Sequence, residues 1–318
     1  MPLLSSKLHS RLLEKKKKLD ALRPLPPSTV RKIQQQMQIE YIYNSNAIEG
    51  NTLTLRETQL VLEEGMTVGQ RPLREIQEVK NHPEAIEYIQ TIASKNKLTE
   101  SDVFTIHQII MRDIIDDAGR YRSGDVRIFA SDHRPPPAYE VPFLIGKMLD
   151  RFNQNPDELL PIELAACLHH DFVHIHPFTD GNGRVARLLM NVVLLRFGYP
   201  MTTIRRVDRK SYYDCLQRAD KGNLVPFVNF IASAVEQTLD LYLRGIGPAD
   251  DQLIPISEAS KGTPYSSEYL SLLVRTRKIP GIKTGRNWMV SKKMVQQYIE
   301  QLDKANSNDI KLNESNGL

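Results

Sequence analysis

The 318-residue sequence predicts a mainly all-α fold carrying one β-prone flap and ending in a small α+β unit. Three observations predict it. Apolar residues recur at three- and four-residue steps through much of residues 28–245, the spacing of a helix with one buried face. Tyr121–Pro142 breaks this period: Val126-Arg127-Ile128-Phe129 and Tyr139-Glu140-Val141 flank the prolines at 135–137, the texture of a hairpin-like flap. Residues 253–304 then form a separate basic segment with a turn at Thr284-Gly285-Arg286.

In chain order, the first thirty residues read as a solvated basic helix with four lysines at 15–18, ended by the prolines at 24, 26 and 27. From Ser28 a helix presents Ile33, Met37, Tyr41, Asn44 and Ile48 on one side and closes at Gly50. Thr54 and Glu57 fit a capping box opening a helix over Leu53–Glu64, and a longer helix runs through Leu73–Ser94. Thr99–Ile115, Ile162–Ile175 and Gly183–Phe197 repeat the helical period, which resumes after Asp208 and continues to Gly245. Gly, Pro and acids over 245–252 read as a linker. The expected units are therefore 1–97, 98–245 and 253–304, with a flexible tail over 305–318.

Composition narrows the function. At 41% hydrophobic and 25% charged residues the chain is globular rather than fibrous or disordered. Two cysteines, Cys167 and Cys215, argue against a disulfide framework, and no run is long and apolar enough for a membrane helix. Without a signal-peptide core at the start, the expected location is the cytoplasm, with no membrane partner. The net charge of +4 hides a pattern: residues 1–32 and 261–293 each carry +7, leaving −10 for the remainder. A nucleic-acid argument is therefore local to the basic ends.

The stretch from His176 to Arg187 carries the chemistry. An apolar helix enters, a loop with Gly181 and Gly183 exposes backbone N–H groups, and a new helix starts with Arg184 and Arg187 on one face. Such a loop cradles phosphate. Asp180 offers a hard oxygen suited to Mg²⁺, and His176 can take a proton from an attacking hydroxyl. Gly181 to Ala186 also satisfies a dinucleotide GxGxxA pattern, but that pattern needs a preceding strand where this chain has a helix. His170 and His174 have the spacing of a metal pair, yet no third ligand is evident, which favours packed or hydrogen-bonded histidines.

His176-Pro-Phe-x-Asp-Gly-Asn-Gly-Arg-x-x-Arg187 resembles the complete signature of the Fic (Fido) family, and the similarity extends over roughly Leu98–Ala234. The resemblance implies a Fic-fold helical core that transfers AMP from ATP to a Tyr, Ser or Thr hydroxyl of a protein target. It implies His176 as general base, Asp180 as Mg²⁺ ligand, and Gly181, Asn182, Gly183 and Arg184 as phosphate cradle, with Arg187 on the γ-phosphate. Ile128 and His133 align with flap contacts, and Tyr212 and Tyr213 resemble nucleoside-contacting tyrosines. Asp220 stands where the family has Asn, which weakens an adenine contact there. Ser45-x-x-x-Glu49-Gly50 resembles the family's inhibitory motif, implying that Glu49 holds Arg187 in the γ-phosphate's place. Self-modification, a homodimer and removal of AMP by the same site are further candidates. Residues 265–302 read as two helices, a hairpin and a last helix capped by Ser291, similar to a winged helix-turn-helix, with Arg275, Arg277, Lys278 and Arg286 as candidate DNA contacts. Two alternatives stand beside AMP transfer: a DNA-binding regulator with a Fic nucleotide-sensing core, and phosphoryl transfer with ATP reversed.

Overall fold

The computed structural model describes residues 3–23, 27–66, 69–128, 133–246, 253–276, 278–284 and 287–300. The chain divides into two compact units, Met1–Arg23 with Arg31–Leu239 and Pro24–Val30 with Asp240–Leu318. Its first helices are α1 (Ser6–Ala21), α2 (Pro27–Ile48), α3 (Leu55–Glu64), α4 (Leu73–Ala93) and α5 (Glu100–Met111). They are followed by α6 (Val141–Gln154), α7 (Pro161–Ile175), α8 (Asn182–Arg196), α9 (Arg209–Asp220) and α10 (Val225–Ile246). Helix α8 is apolar on nearly every side, so it is buried from Arg184 to Leu194, with α7, α4 and α5 packed around it. The site described below sits at its N-terminal end.

Local chemistry sets the helix boundaries. The expected capping box forms: Thr54 Oγ1 accepts from the Glu57 N–H at 3.2 Å and Glu57 returns an acceptor to the Thr54 N–H at 2.7 Å. Thr99 and Asp102 build a second box at the start of α5. Helix α6 goes beyond the helices expected from the sequence. Among the described residues, none is long and apolar enough to cross a membrane.

Two expectations change. Residues 121–128 and 133–137 contain no strand, Ala138–Glu140 form a 3₁₀ turn and Val141 already starts α6, so no hairpin forms among the described residues of the flap; residues 129–132 lie outside them. Three prolines remove ladder donors from that segment. The N-terminal basic segment is also not simply solvated. Helix α1 buries Leu8, Leu12 and Leu19, Glu163 accepts from the N–H groups of Leu3 and Leu4, and Arg11 and Lys15 pair with Glu236 of α10. Its leucines recur at helical spacing beside the lysines, and the apolar stripe decides where the helix goes.

The second unit contains β1 (Leu253–Pro255), α11 (Ile256–Ala259), α12 (Ser267–Arg275), β2 (Gly281–Thr284), β3 (Asn287–Ser291) and a helix α13 over 292–300. The strands form an antiparallel sheet in the order β1-β3-β2. Leu270, Leu273, Val274, Ile279, Val290 and Val295 fill a core of their own. Ser291 accepts from the Met294 N–H at 3.3 Å, the expected cap. Among the described residues of 265–280, only α12 precedes the hairpin, where two helices were expected. Arg275 and Lys278 are exposed, whereas Arg277, Arg286 and the tail over 305–318 lie outside the described residues.

Candidate active site

Helix α7 stops at His176, which adopts a left-handed backbone (φ 53°) that most L-residues avoid. The reversal is held on both sides. The His176 N–H bonds the Phe172 carbonyl at 3.0 Å, and the His176 carbonyl accepts from Arg122 Nε at 2.8 Å. His176 Nδ1 lies 3.3 Å from the Val173 carbonyl. A carbonyl only accepts, so Nδ1 carries the proton and, in the neutral ring, Nε2 keeps its lone pair. Burial pushes the imidazole pKa below its usual value, outweighing the Val173 bond, and the nearby Arg122 charge acts in the same direction.

The following loop is closed by its own side chains. Asn182 Oδ1 accepts from the Phe178 N–H at 3.0 Å, and Asn182 Nδ2 donates to the Phe178 carbonyl at 2.8 Å. The buried Phe178 ring stacks on His107 with centroids 3.6 Å apart. His107 Nε2 donates to the Asp180 carbonyl at 3.1 Å while Nδ1 accepts from the Gly119 N–H at 2.9 Å. Burial pushes His107 down to about 4, so the ring is neutral and supports both bonds. Gly181 has φ 79°, and a Cβ there would lie 2.8 Å from Met111 Sδ. At Gly183 a Cβ would fall on Glu49 Oε1. The glycine leaves the space that the carboxylate enters.

Six charged groups converge at the start of α8: Arg184, Arg187 and Arg74 against Glu78, Asp180 and Glu49. Arg184 and Arg187 are each only 1% exposed. Arg184 Nη1 lies 3.0 Å from Glu78 of α4, and Nη2 lies 3.2 Å from Asp180. Arg187 donates from Nε to Ser45 Oγ at 3.0 Å and from Nη2 to the Ser45 carbonyl at 2.8 Å, while Nη1 sits 2.8 Å from Glu49 Oε1. Burial alone would lower the Arg187 pKa; the Glu49 carboxylate outweighs it and raises the pKa. Asp180 accepts from the Gly181 N–H at 2.5 Å and pairs with Arg74 of α4. Despite burial, Arg184, the Gly181 N–H and Arg74 hold its carboxyl below the usual range.

These residues border a cleft of about 1010 Å³. Glu49, His176, Asp180 and Gly183 line it together with Ile128, His133, Tyr212, Tyr213 and Asp220. Ser45, Asn182, Arg184 and Arg187 are buried, and the pairs of Arg184 with Asp180 and of Arg187 with Glu49 tie the two arginines to residues that line the cleft, whereas the candidate DNA contacts Arg275 and Lys278 belong to the second unit. Tyr212 is buried, with its hydroxyl 3.0 Å from His169 Nε2, whereas Tyr213 lies beneath the Arg209 guanidinium, 4.8 Å from its ring centre. Arg209 Nε also donates to the Ile48 carbonyl at 2.8 Å, tying the end of α2 to α9. Asp220 accepts from His170 and His174. Sequence reasoning missed Arg74, Glu78, His107 and Arg122. Arg74 meets Asp180 across 106 positions, so no local spacing signals it; the available clue is that two arginines on an apolar helix demand carboxylates from elsewhere.

The Fic/DOC family profile matches residues 97–194. A Fic-domain signaling protein from Bacteroides thetaiotaomicron shares 32% identity and superposes with a TM-score of 0.70, the match covering 74% of this chain and 96% of that one. The chain belongs to the Fic/DOC family. Residues 134–508 of Fic-1 from C. elegans give a TM-score of 0.68 at 31% identity, over 75% of this chain and 72% of that one. Among curated relatives, the protein adenylyltransferase Fic of Nematostella vectensis is 39% identical over 76% of this chain and 56% of its own length. That of Drosophila virilis is 37% identical over 76% and 51%. The chain thus spans about half the length of these relatives.

Proposed function

We propose that this Fic/DOC protein transfers AMP from ATP to a hydroxyl side chain of a protein target, and that Glu49 holds it inactive. One observation carries the reading: a carboxylate already occupies the anion position at the start of α8, paired to Arg187 in the space left by Gly183. A γ-phosphate offers that arginine and helix end the same charge type, so ATP and Glu49 compete for them. Relatives named protein adenylyltransferase support the reaction class.

In this mechanism His176 Nε2 accepts the proton of the attacking hydroxyl. The hydroxyl oxygen bonds the α-phosphorus, the bond to the β-phosphate oxygen breaks, and pyrophosphate leaves. The lowered His176 pKa keeps the ring unprotonated near neutral pH, ready for that proton. Arg184 and Arg187 offset charge on the phosphates. The Asp180 carboxylate fits Mg²⁺, a hard cation that shares its ligands with nucleotide phosphates, once Arg74 turns away. When bound, Mg²⁺ supplies Lewis-acid stabilisation of phosphate charge. Two free cysteines suit a reducing, cytoplasmic setting.

The test is incorporation of label from α-labelled ATP, compared with γ-labelled ATP, in wild type and Glu49→Gly. The proposal expects α-label on protein and a gain in the variant. Label arriving only from the γ-position would instead establish phosphoryl transfer.

A further inference from the structure

His170 and His174 stand one turn apart on α7, a metal-pair spacing whose third ligand is not evident from sequence. The fold supplies candidates. Asp220, the last residue of α9, accepts through Oδ1 from His174 Nδ1 at 3.0 Å and from His170 Nε2 at 3.2 Å. His133 reaches the same place from the flap: it stacks on His174 with ring centroids 3.9 Å apart and donates from Nε2 to the His174 carbonyl at 2.8 Å. One ligand-capable atom from each of His133, His174 and Asp220 lies within 4.8 Å of the others, and all three residues are half-buried.

We propose that His133, His174 and Asp220 form a site for a transition-metal ion of the Zn²⁺ class that clips the flap to α7 and α9. Two imidazoles and a carboxylate suit Zn²⁺, Co²⁺ or Ni²⁺, whereas Mg²⁺ prefers an all-oxygen octahedron. The ion takes the place of the proton now shared by His174 Nδ1 and Asp220 Oδ1, drawing the three ligand atoms together. The supporting contacts are of the kind that orient metal ligands: a backbone carbonyl holds the His133 ring, and the nearly buried His170 steadies the carboxylate. Three protein ligands leave a further position for water. Because His133 and Asp220 line the cleft, an ion here fixes the flap where nucleotide and target must pass.

Cobalt provides a readout that does not depend on the reaction proposed above. Untagged full-length protein in excess Mg²⁺ is titrated with Co²⁺. The expected result is one equivalent bound with the intense visible absorption of a four- or five-coordinate site, lost on adding Zn²⁺. His174→Ala, Asp220→Asn and His133→Ala should each weaken binding by roughly tenfold or more. His133 lies outside the helical core, so its variant decides the matter if the others fail to fold. A pale six-coordinate spectrum, or an affinity unchanged by His133→Ala, overturns the proposal.

Discussion

Two ion pairs carry N-terminal helices onto the body of the first unit, with opposite polarity. In one, Arg11 and Lys15 of α1 bring cations to Glu236 of α10, at 2.8 and 2.9 Å. In the other, the end of α2 brings the Glu49 carboxylate to Arg187 of α8, at 2.8 Å. The distances are nearly equal, yet the consequences differ. Glu236 lies 15% exposed beneath two surface cations, where solvent screens the pair, and it does not line the cleft described above. Arg187 is 1% exposed at a helix N-terminus beside a cleft of nucleotide size. A salt bridge becomes a switch when one partner is buried and an outside ion can replace the other. Without a competing ligand, the same contact is only a clamp.

The largest effect is expected at the proposed base. In a Glu49→Gly background, His176→Ala should reduce AMP incorporation by roughly 10²–10⁴-fold, the usual contribution of a positioned proton acceptor. Initial rates with α-labelled ATP measure it. A loss below about threefold would remove His176 from the reaction and leave the lock with nothing to control.

Next comes the lock itself. Glu49→Gly should raise incorporation about tenfold or more, whereas Glu236→Ala should leave it at the wild-type level. Breaking the Glu49 pair should also destabilise the protein by roughly 1–3 kcal/mol. That is less than for a fully buried pair, because Glu49 is 30% exposed and Ser45 still accepts twice from Arg187. ATP with Mg²⁺ should restore more melting temperature to Glu49→Gly than to wild type, since the phosphate takes over the abandoned arginine. Equal ligand shifts in the two proteins would break the competition argument.

Arg74 offers a smaller, sharper test. Its guanidinium is half-exposed and sits on the Asp180 carboxylate, so Arg74→Ala should tighten Mg²⁺ in the Glu49→Gly background by about threefold to tenfold. Titrating Mn²⁺ in place of Mg²⁺ by electron paramagnetic resonance reads this directly. An unchanged affinity would mean that Arg74 yields without cost.

The sequence was most legible where chemistry is local. His176, Asp180, Asn182 and the two arginines fall within one loop and the first two turns of α8, and their types alone describe an anion cradle. Helix periods and the Thr54–Glu57 box were legible for the same reason, because both depend on residues three or four apart. Contacts that join distant elements were not. Glu78 meets Arg184, Arg74 meets Asp180, and Arg122 fixes the His176 carbonyl, and none of these pairs leaves a spacing to read. The flap failed for a different reason. Among its described residues the β-prone stretch forms no ladder beside the three prolines, and tertiary anchors such as Arg122 on Pro136 hold it instead.

The smallest effect separates clamp from switch by pH. Hydrogen bonds from Arg11, followed by the charge and bonds of Lys15, hold Glu236 down to about 2 from an ordinary 4.5, against the opposing effect of burial. A depressed carboxyl stabilises the fold fully above its unfolded value and loses that contribution as pH falls from about 4.5 toward 2. Glu236→Gln should therefore melt below wild type at pH 7 by the equivalent of about 1 kcal/mol, after allowing for screening of the half-exposed Arg11, or roughly 2–4 °C. The gap should narrow in acid, because wild type then protonates the same oxygen that the amide lacks as a charge. Melting curves at several pH values between about 7 and 3 decide it. A gap that persists unchanged at the acid end would assign the loss to packing of α1 against α10. The N-terminal helix would then be held by its buried leucines and the Glu163 anchor rather than by Glu236, and the likeness between the two ion pairs would end at their distances.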